Sequence, residues 1–346
     1  MSDPGVFGVI DLMTGYQQAA ALTAAARVGV FDLLSAEPLP ADEVSGRLGT
    51  DPATTVALLD SLAGLGLVTA TPAVPTTVYV ATPTSRRLAA GGDLRLVAEK
   101  EAFFAGVWQS LEATIRTGER QIDSWRSRLD ADPAQSLNFL RALVVLARET
   151  GPDLTRLPGV RPGARVADLG GGLGSYAVPL AAAGASVTLA DLPPVVAWAD
   201  EELAGLASTD PEARERISLT AVDLLGPDAE AVLAAPAESG GGYDVVLLSH
   251  LLHEVDDADA ARLVALAAAL VRPGGTVVAF ELPGDPAEGP LAAFGPMFDL
   301  MMRIETGSRA RRFAEFEALL RGAGLGDVRR LDFALPAGVV AGTREC

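Results

Sequence analysis

The chain contains two histidines, His250 and His253, and both fall in one stretch, VVLLSHLLHEVDDADAARL (245–263). An imidazole of ordinary pKa, about 6.5, holds or releases a proton near neutrality, so the pair is a candidate acid–base site. Positions i and i+3 share a helical face, which would let His250 line the same pocket as His253. The two rings with the neighbouring acids could also bind zinc, but spacing places no third ligand, and no metal is expected. Packing is the remaining reading, and it is preferred for His250. Asp256, Asp257 and Asp259 read as the capped, dipole-favoured start of a helix over 256–271.

A second constellation lies upstream. In VADLGGGLG, Asp168, Gly170, Gly172 and Gly174 fit D-x-G-x-G-x-G between a strand and a helix. Glycine lets the chain turn tightly and lets its backbone approach a ligand closely. An acid at the strand end suits a cationic, phosphate-free ligand better than a pyrophosphate. Asp191, ending the next strand in TLADLPP, is placed for a ribose diol. A nicotinamide cofactor and a plain strand-to-helix turn are the competing readings.

These residues need a sheet to carry them. Strands are expected at 165–170, 186–191, 217–223, 243–249 and 276–282, with helices at 174–184, 193–206 and 256–271 between them. That alternation predicts a parallel sheet covered on both faces. Ahead of it, 10–35 has apolar residues at helical spacing and 38–68 reads as two short helices. The stretch 68–83 alternates and turns as a hairpin, and 84–150 is helical again, with an aromatic-bearing helix at 99–115. Helix, turn, helix and hairpin form a winged-helix pattern. As a DNA-binding regulator it is discounted, because 38–68 offers too few cations for phosphate contacts.

The net charge is −18 and Lys100 is the single lysine, which argues against nucleic acid and anionic membranes as partners. The one cysteine, Cys346, allows neither an internal disulfide nor a cysteine-based metal site. No signal peptide or membrane span is read, so a cytoplasmic location is expected.

Five motifs in order, DLGGGLG, LADLPPVV, AVDLLGP, LLSHLLHEVDDADA and LVRPGGTVVAFELP, resemble the S-adenosylmethionine-dependent O-methyltransferases of the plant caffeic-acid and bacterial polyketide kind. The resemblance covers nearly the whole chain. It implies an α/β fold: a Rossmann-like class I methyltransferase domain preceded by a mostly helical, winged-helix dimerisation domain. It places S-adenosylmethionine over Gly170, its ribose on Asp191 and its adenine near Asp223 and Leu224. Leu192 and Ser249, at strand ends, complete the expected cofactor set with Asp168, Gly172 and Gly174. His253 takes the position of the catalytic base, and Glu281 that of a carboxylate flanking it. Val255 stands where the family has a tryptophan. Ala310, in GSRARRF (307–313), stands where a second flanking acid is expected, which leaves N- or C-methylation, or a non-methylating reaction, as the alternative. Glu254 is the lesser candidate for a carboxylate on the imidazole, because an adjacent helical residue points elsewhere.

The acceptor is expected to be a small aromatic hydroxyl compound. Phe294, Met297, Phe298, Met301 and Met302 would form one wall of its pocket, Phe104 and Trp108 another, with His250 beside them. Arg303, Arg309, Arg311 and Arg312 would suit an anionic acceptor, but as charges they read first as solvated. The expected division is 1–98 for dimerisation, 99–160 as a helical linker and substrate wall, and 161–346 for the cofactor-binding domain, with a homodimer formed through the first.

Overall fold

Glycine and proline divide the first hundred residues into short helices. In the computed structural model, which describes residues 3–73, 76–238, 241–333 and 336–345, the apolar stretch 10–35 lies in three helices, Gly5–Thr14, Tyr16–Val28 and Val30–Ala36. Gly29 makes the last break at φ 91°, with its amide on the carbonyls of Ala25 and Ala26. Asp51 caps the helix Pro52–Gly64 by accepting from Thr54 N at 2.8 Å. Strands β1 (Leu39–Pro40), β2 (Val68–Thr71) and β3 (Val78–Ala81) form an antiparallel sheet in the order β1-β3-β2. The hairpin arms are where the sequence puts them, and residues 74 and 75 lie outside the described residues, as does Cys346. Strand β1 went unread because two residues ending in proline carry no alternation. Val30, Phe31, Leu34, Val44, Leu59 and Leu62 are buried together in this unit, Met1–Gly106.

The second unit, Val107–Cys346, is built on a seven-stranded sheet. Its strands are β4 (Arg165–Leu169), β5 (Ser186–Asp191), β6 (Ile217–Ala221), β7 (Tyr243–Ser249), β8 (Val271–Glu281), β9 (Gly326–Leu331) and β10 (Gly338–Thr343). The order is β6-β5-β4-β7-β8-β10-β9, with β4 to β8 parallel and β10 antiparallel to both neighbours. Alternate residues of β7 enter opposite layers. Val246 and Leu248 pack with Leu263 and Val264 of the helix Asp257–Leu270, and Val245 and Leu247 pack with Leu180 and Leu203. Every residue of β7 is buried. Each large apolar side chain so buried contributes about 1.5–3 kcal/mol, enough to hold polar strand ends rigidly at the sheet's edge.

The structure departs from the sequence reading at the sheet's far edge. Strand β8 starts at Val271, running through Arg-Pro-Gly-Gly, with a register shift against β7 between Tyr243 and Val245. Strands β9 and β10 were not foreseen: GDVRRL is mostly polar and partly exposed, and GVVAGT is short and glycine-bounded. The expected helix at 99–115 is broken into Asp93–Trp108 and Leu111–Thr117. No single helix among the described residues is long and apolar enough to cross a membrane.

Candidate active site

Parallel strands bring their carboxyl ends to one edge of the sheet, and the chemistry-bearing residues gather there. Asp168, near the end of β4, is fully buried. Its Oδ1 lies 3.4 Å from Ser249 Oγ at the end of β7, and its Oδ2 has no hydrogen-bond partner. Burial, reinforced by the charge of Asp191, pushes its carboxyl up to about 7. The loop that follows turns through Gly170, Gly172 and Gly174 at φ 74°, 56° and 89°, a region open to glycine. Gly171, a filler position in the sequence motif, is constrained as well: a Cβ there would meet Asp168 Oδ2 and Leu189 Cγ at 2.8 Å. A Cβ on Gly172 would meet nothing within 4 Å, so the loop's outer side is open.

Asp191, at the end of β5, accepts from Gly172 N at 2.9 Å and from Leu192 N at 2.7 Å. Burial raises its pKa against the pull of those two amides and of Arg126. Asp223 follows β6 and is ion-paired with Arg126 at 2.6 Å, and that hydrogen bond holds its carboxyl below the usual range. Leu224 is half-buried beside it. The loop and the acids that the sequence assigns to one ligand therefore lie at the ends of the adjacent strands β4, β5 and β6.

The imidazole cluster lies across β7 and β8. The chain leaves β7 through His250, a non-glycine residue at φ 51°, whose amide donates to Phe280 O at 2.8 Å. It then forms a tight 3₁₀ turn, Leu252–Glu254, rather than a helix. Glu281, fully buried at the end of β8, binds this turn with both oxygens. Oε1 accepts from the amides of Leu251 at 2.9 Å and Leu252 at 2.6 Å, and Oε2 lies 2.5 Å from His253 Nδ1. Burial pulls the imidazole's pKa down, but the Glu281 charge, with Glu254, outweighs it and raises His253 to about 10. The same pairing depresses Glu281 despite its burial.

The turn corrects two expectations. His250 and His253 do not share a helical face; their rings are 6.1 Å apart, and His250 packs edge-on to Phe280 at 4.4 Å. Burial drives His250 down to about 4, leaving it neutral at physiological pH. Glu254 does not point away: the tight turn brings its Oε1 to 3.5 Å from His253 Nε2. The fold also supplies what spacing did not, a third group with metal-ligating atoms, since His250, His253 and Glu281 offer donors within 4.8 Å of one another. The 2.5 Å between Nδ1 and Oε2 is a hydrogen-bond distance. Two ligands of a tetrahedral zinc would stand about 3.3 Å apart.

Phe298 packs edge-on to His253 at 5.2 Å, from the helix Phe294–Glu305. Phe294 and Met301 are half-buried on that helix, Met302 is buried, and Met297 is 47% exposed. Phe104 is buried in the first unit, with Phe103 edge-on at 5.2 Å and Lys100 Nζ 4.9 Å from its ring. Trp108 is half-buried at the end of its helix in the second unit.

Three residues escaped the sequence reading. Tyr176, buried, packs edge-on to Phe280 at 5.2 Å. Glu305, buried, is paired with Arg128 at 2.7 Å. Arg311, read as solvated, is 1% exposed and grips the turn that carries His253. Burial of an arginine depends on carbonyls supplied from elsewhere in the chain, which local sequence does not announce.

Comparison with known proteins adds a family context. A family model of the O-methyltransferase dimerisation domain matches residues 10–91, and one of the O-methyltransferase domain matches residues 108–326. The chain is 30% identical over 350 residues to a 3-hydroxy-5-methyl-1-naphthoate 3-O-methyltransferase of Streptomyces sahachiroi, covering 96% of this chain and 94% of that one. It is 29% identical over 334 residues to acetylserotonin O-methyltransferase of Bos taurus, covering 91% of each. The crystal structure of human N-acetylserotonin methyltransferase in complex with S-adenosylmethionine has the same fold, with a TM-score of 0.80 at 21% identity over 100% of this chain and 99% of that one.

Proposed function

The chain belongs to the S-adenosylmethionine-dependent O-methyltransferases, and from that premise we propose that it methylates a phenolic hydroxyl of an aromatic natural-product intermediate, with His253 as the base. S-adenosylmethionine supplies a methyl group already activated on a sulfonium. The strand-end residues fit such a cation. Asp168 Oδ2 is a buried carboxylate oxygen with no partner, and the outer side of Gly172 is open. Asp191 would hold the ribose hydroxyls, with Leu192 beside it, and Asp223 and Leu224 the adenine. Ser249 keeps Asp168 oriented.

What remains for the protein is to align an acceptor and take its proton. The observation that carries the reading is the Glu281–His253 pair at 2.5 Å, which commits Nδ1 to the carboxylate, so that Nε2, with Glu254 at 3.5 Å, is the atom to take the acceptor's proton. Phenols ionise near pH 10, like tyrosine. An imidazole of ordinary pKa would take that proton uphill by roughly 5 kcal/mol. At about 10, His253 takes it almost evenly. The pair then acts in either of two equivalent forms, neutral imidazole with phenol or imidazolium with phenolate. Glu254, 3.5 Å from Nε2, supplies the second carboxylate that Ala310 does not. That placement supports oxygen as the methyl acceptor. The naphthoate relative, whose name specifies an aromatic hydroxyl, supports the acceptor class.

The dimerisation-domain match supports a homodimer through the first unit. Its helix Gly5–Thr14 has no buried residue although it carries Val6, Phe7, Leu12 and Met13. The test of the reading is His253→Ala assayed on a panel of phenols. Turnover should fall by about 10²–10⁴, the usual contribution of a positioned base, with donor binding by calorimetry unchanged. Intact turnover in the variant removes His253 from the chemistry.

A further inference from the structure

Arg311 is the largest fully buried side chain among the described residues; the carboxylate in ion-pair contact with it is Asp257, itself 69% exposed at the side chain, and Glu315 acts on it only from farther off. Taking a guanidinium out of water costs several kcal/mol, and a surface ion pair returns about 1 kcal/mol or less. A pair with an exposed aspartate does not explain such burial. The other partners do: the guanidinium donates to Leu252 O, and to Val255 O at 3.1 Å. These carbonyls bracket His253 and Glu254. Ser308 Oγ donates to Val255 O at 2.6 Å, and Arg309 reaches Asp257 at 3.1 Å, so the whole stretch 308–311 grips residues 252–257.

We propose that Arg311 is a positioning residue for His253, holding the carbonyl side of the turn Leu252–Glu254 while Glu281 holds its amide side, so that the imidazole is fixed on its carboxylate. The stretch that contains Ala310 thus acts on the backbone of the turn and not on the imidazole ring. The inference rests on the reading of His253 as the base, since misplacing a catalytic group by about 1 Å can cost a hundredfold in rate. It needs a conservative reach, because lysine keeps the charge of arginine but loses the planar fork that serves several acceptors together.

With two histidines in the chain, histidine-selective ¹³C/¹⁵N NMR resolves each imidazole titration without any acceptor. The groups that face His253 are Glu281 from β8, Glu254 from its own turn, His250 from the end of β7, and Glu305 from the helix that also presents Phe298. Arg311→Lys changes none of these and conserves charge. Its expected effect is a fall of at least one pH unit in the His253 midpoint, a tenfold loss of proton affinity. His250 should not move, and S-adenosylhomocysteine should bind within twofold of the wild type. If that variant does not fold, the charge-balanced pair Arg311→Met with Asp257→Asn gives the same readout. A folded variant in which His253 titrates as in the wild type overturns the proposal. So does failure of both variants to fold, which would make Arg311 a stability residue. An active His253→Ala enzyme would instead overturn the assignment of the base and leave the titration result standing.

Discussion

Asp168 and Asp191 end adjacent parallel strands and face one glycine loop, yet only Asp191 is satisfied there: it takes the amides of Gly172 and Leu192, whereas Asp168 Oδ2 takes none. Two buried carboxylates this close cannot both ionise at their ordinary values. Burial raises both, and Asp168, which has no amides to offset it, is held up near 7 by burial and by the charge of Asp191. A bound cation reverses that shift.

Donor binding should therefore weaken as pH falls through 7, because protonation removes the charge that the sulfonium donor meets. Calorimetry with S-adenosylmethionine between pH 5.5 and 8.5 should show the decline, and proton release on binding below pH 7. The free protein should behave oppositely. Between about 3.8 and 7 the native state holds a proton that the unfolded chain has released, so this group's contribution to stability falls as pH rises, by about 4 kcal/mol at most. Asp168→Asn should abolish both slopes and weaken the donor at least tenfold. Unchanged slopes in that variant would assign them to another group.

The His253–Glu281 pair predicts an alkaline rate profile. The reacting complex holds one proton fewer than resting imidazolium with phenol, so kcat/KM should climb about tenfold per pH unit from 7 toward 9. In Glu281→Gln the amide oxygen can still accept from Leu251 and Leu252, but the amide nitrogen would donate to Nδ1 and put the proton on Nε2, the wrong tautomer for a base. A loss of about 10²–10⁴ in kcat is expected, and the imidazole should titrate well below its wild-type midpoint, because burial then lowers it without the Glu281 charge to oppose it. A Glu281→Gln enzyme with the wild-type profile would detach the pair from the chemistry.

Gly171 and Gly172 separate two reasons for glycine. A Cβ at 171 would press on Asp168 Oδ2 and Leu189 Cγ at 2.8 Å, while one at 172 meets open space but requires φ 56°. Overpacking costs about 1–3 kcal/mol and displaces the carboxylate. Left-handed backbone costs an alanine about 1–2 kcal/mol. Gly171→Ala should thus lose more donor affinity than Gly172→Ala. The reverse order in calorimetry would show that open space, not the contact with Asp168, is what the loop preserves.

How much of this was legible depends on the range of each interaction. Gly170, Gly172, Gly174 and Asp191 announce themselves because a tight turn and a strand end are local requirements. The pairing of Glu281 with His253 is implied in the sequence by resemblance alone; in the structure it is a 2.5 Å contact across β7 and β8. Glu254 differs from its sequence expectation because the segment is a 3₁₀ turn and not an α-helix, which changes where the residue after His253 points. Nothing local in the sequence marks the buried roles of Arg311, Glu305 and Tyr176, because each answers to residues far away in the chain. Strand β9 was missed because its partly exposed face breaks the apolar run that marked the central strands.

The first helix offers a final test. Val6, Phe7, Leu12 and Met13 are 70–88% exposed on Gly5–Thr14, an apolar surface that a chain in water covers when it can. The matched dimerisation domain begins within this helix, at residue 10. A second copy covering these side chains would gain about 25 cal/mol for each Å² removed from water, and charge placed there would oppose it. Phe7→Glu with Leu12→Glu changes no buried residue, so the fold of either unit should be unaffected. Sedimentation velocity should then show the dimer of the wild type converted to monomer, with the far-UV circular dichroism unchanged. A double variant that remains dimeric would place the interface on another face of the first unit, and a wild-type monomer would remove the interface altogether.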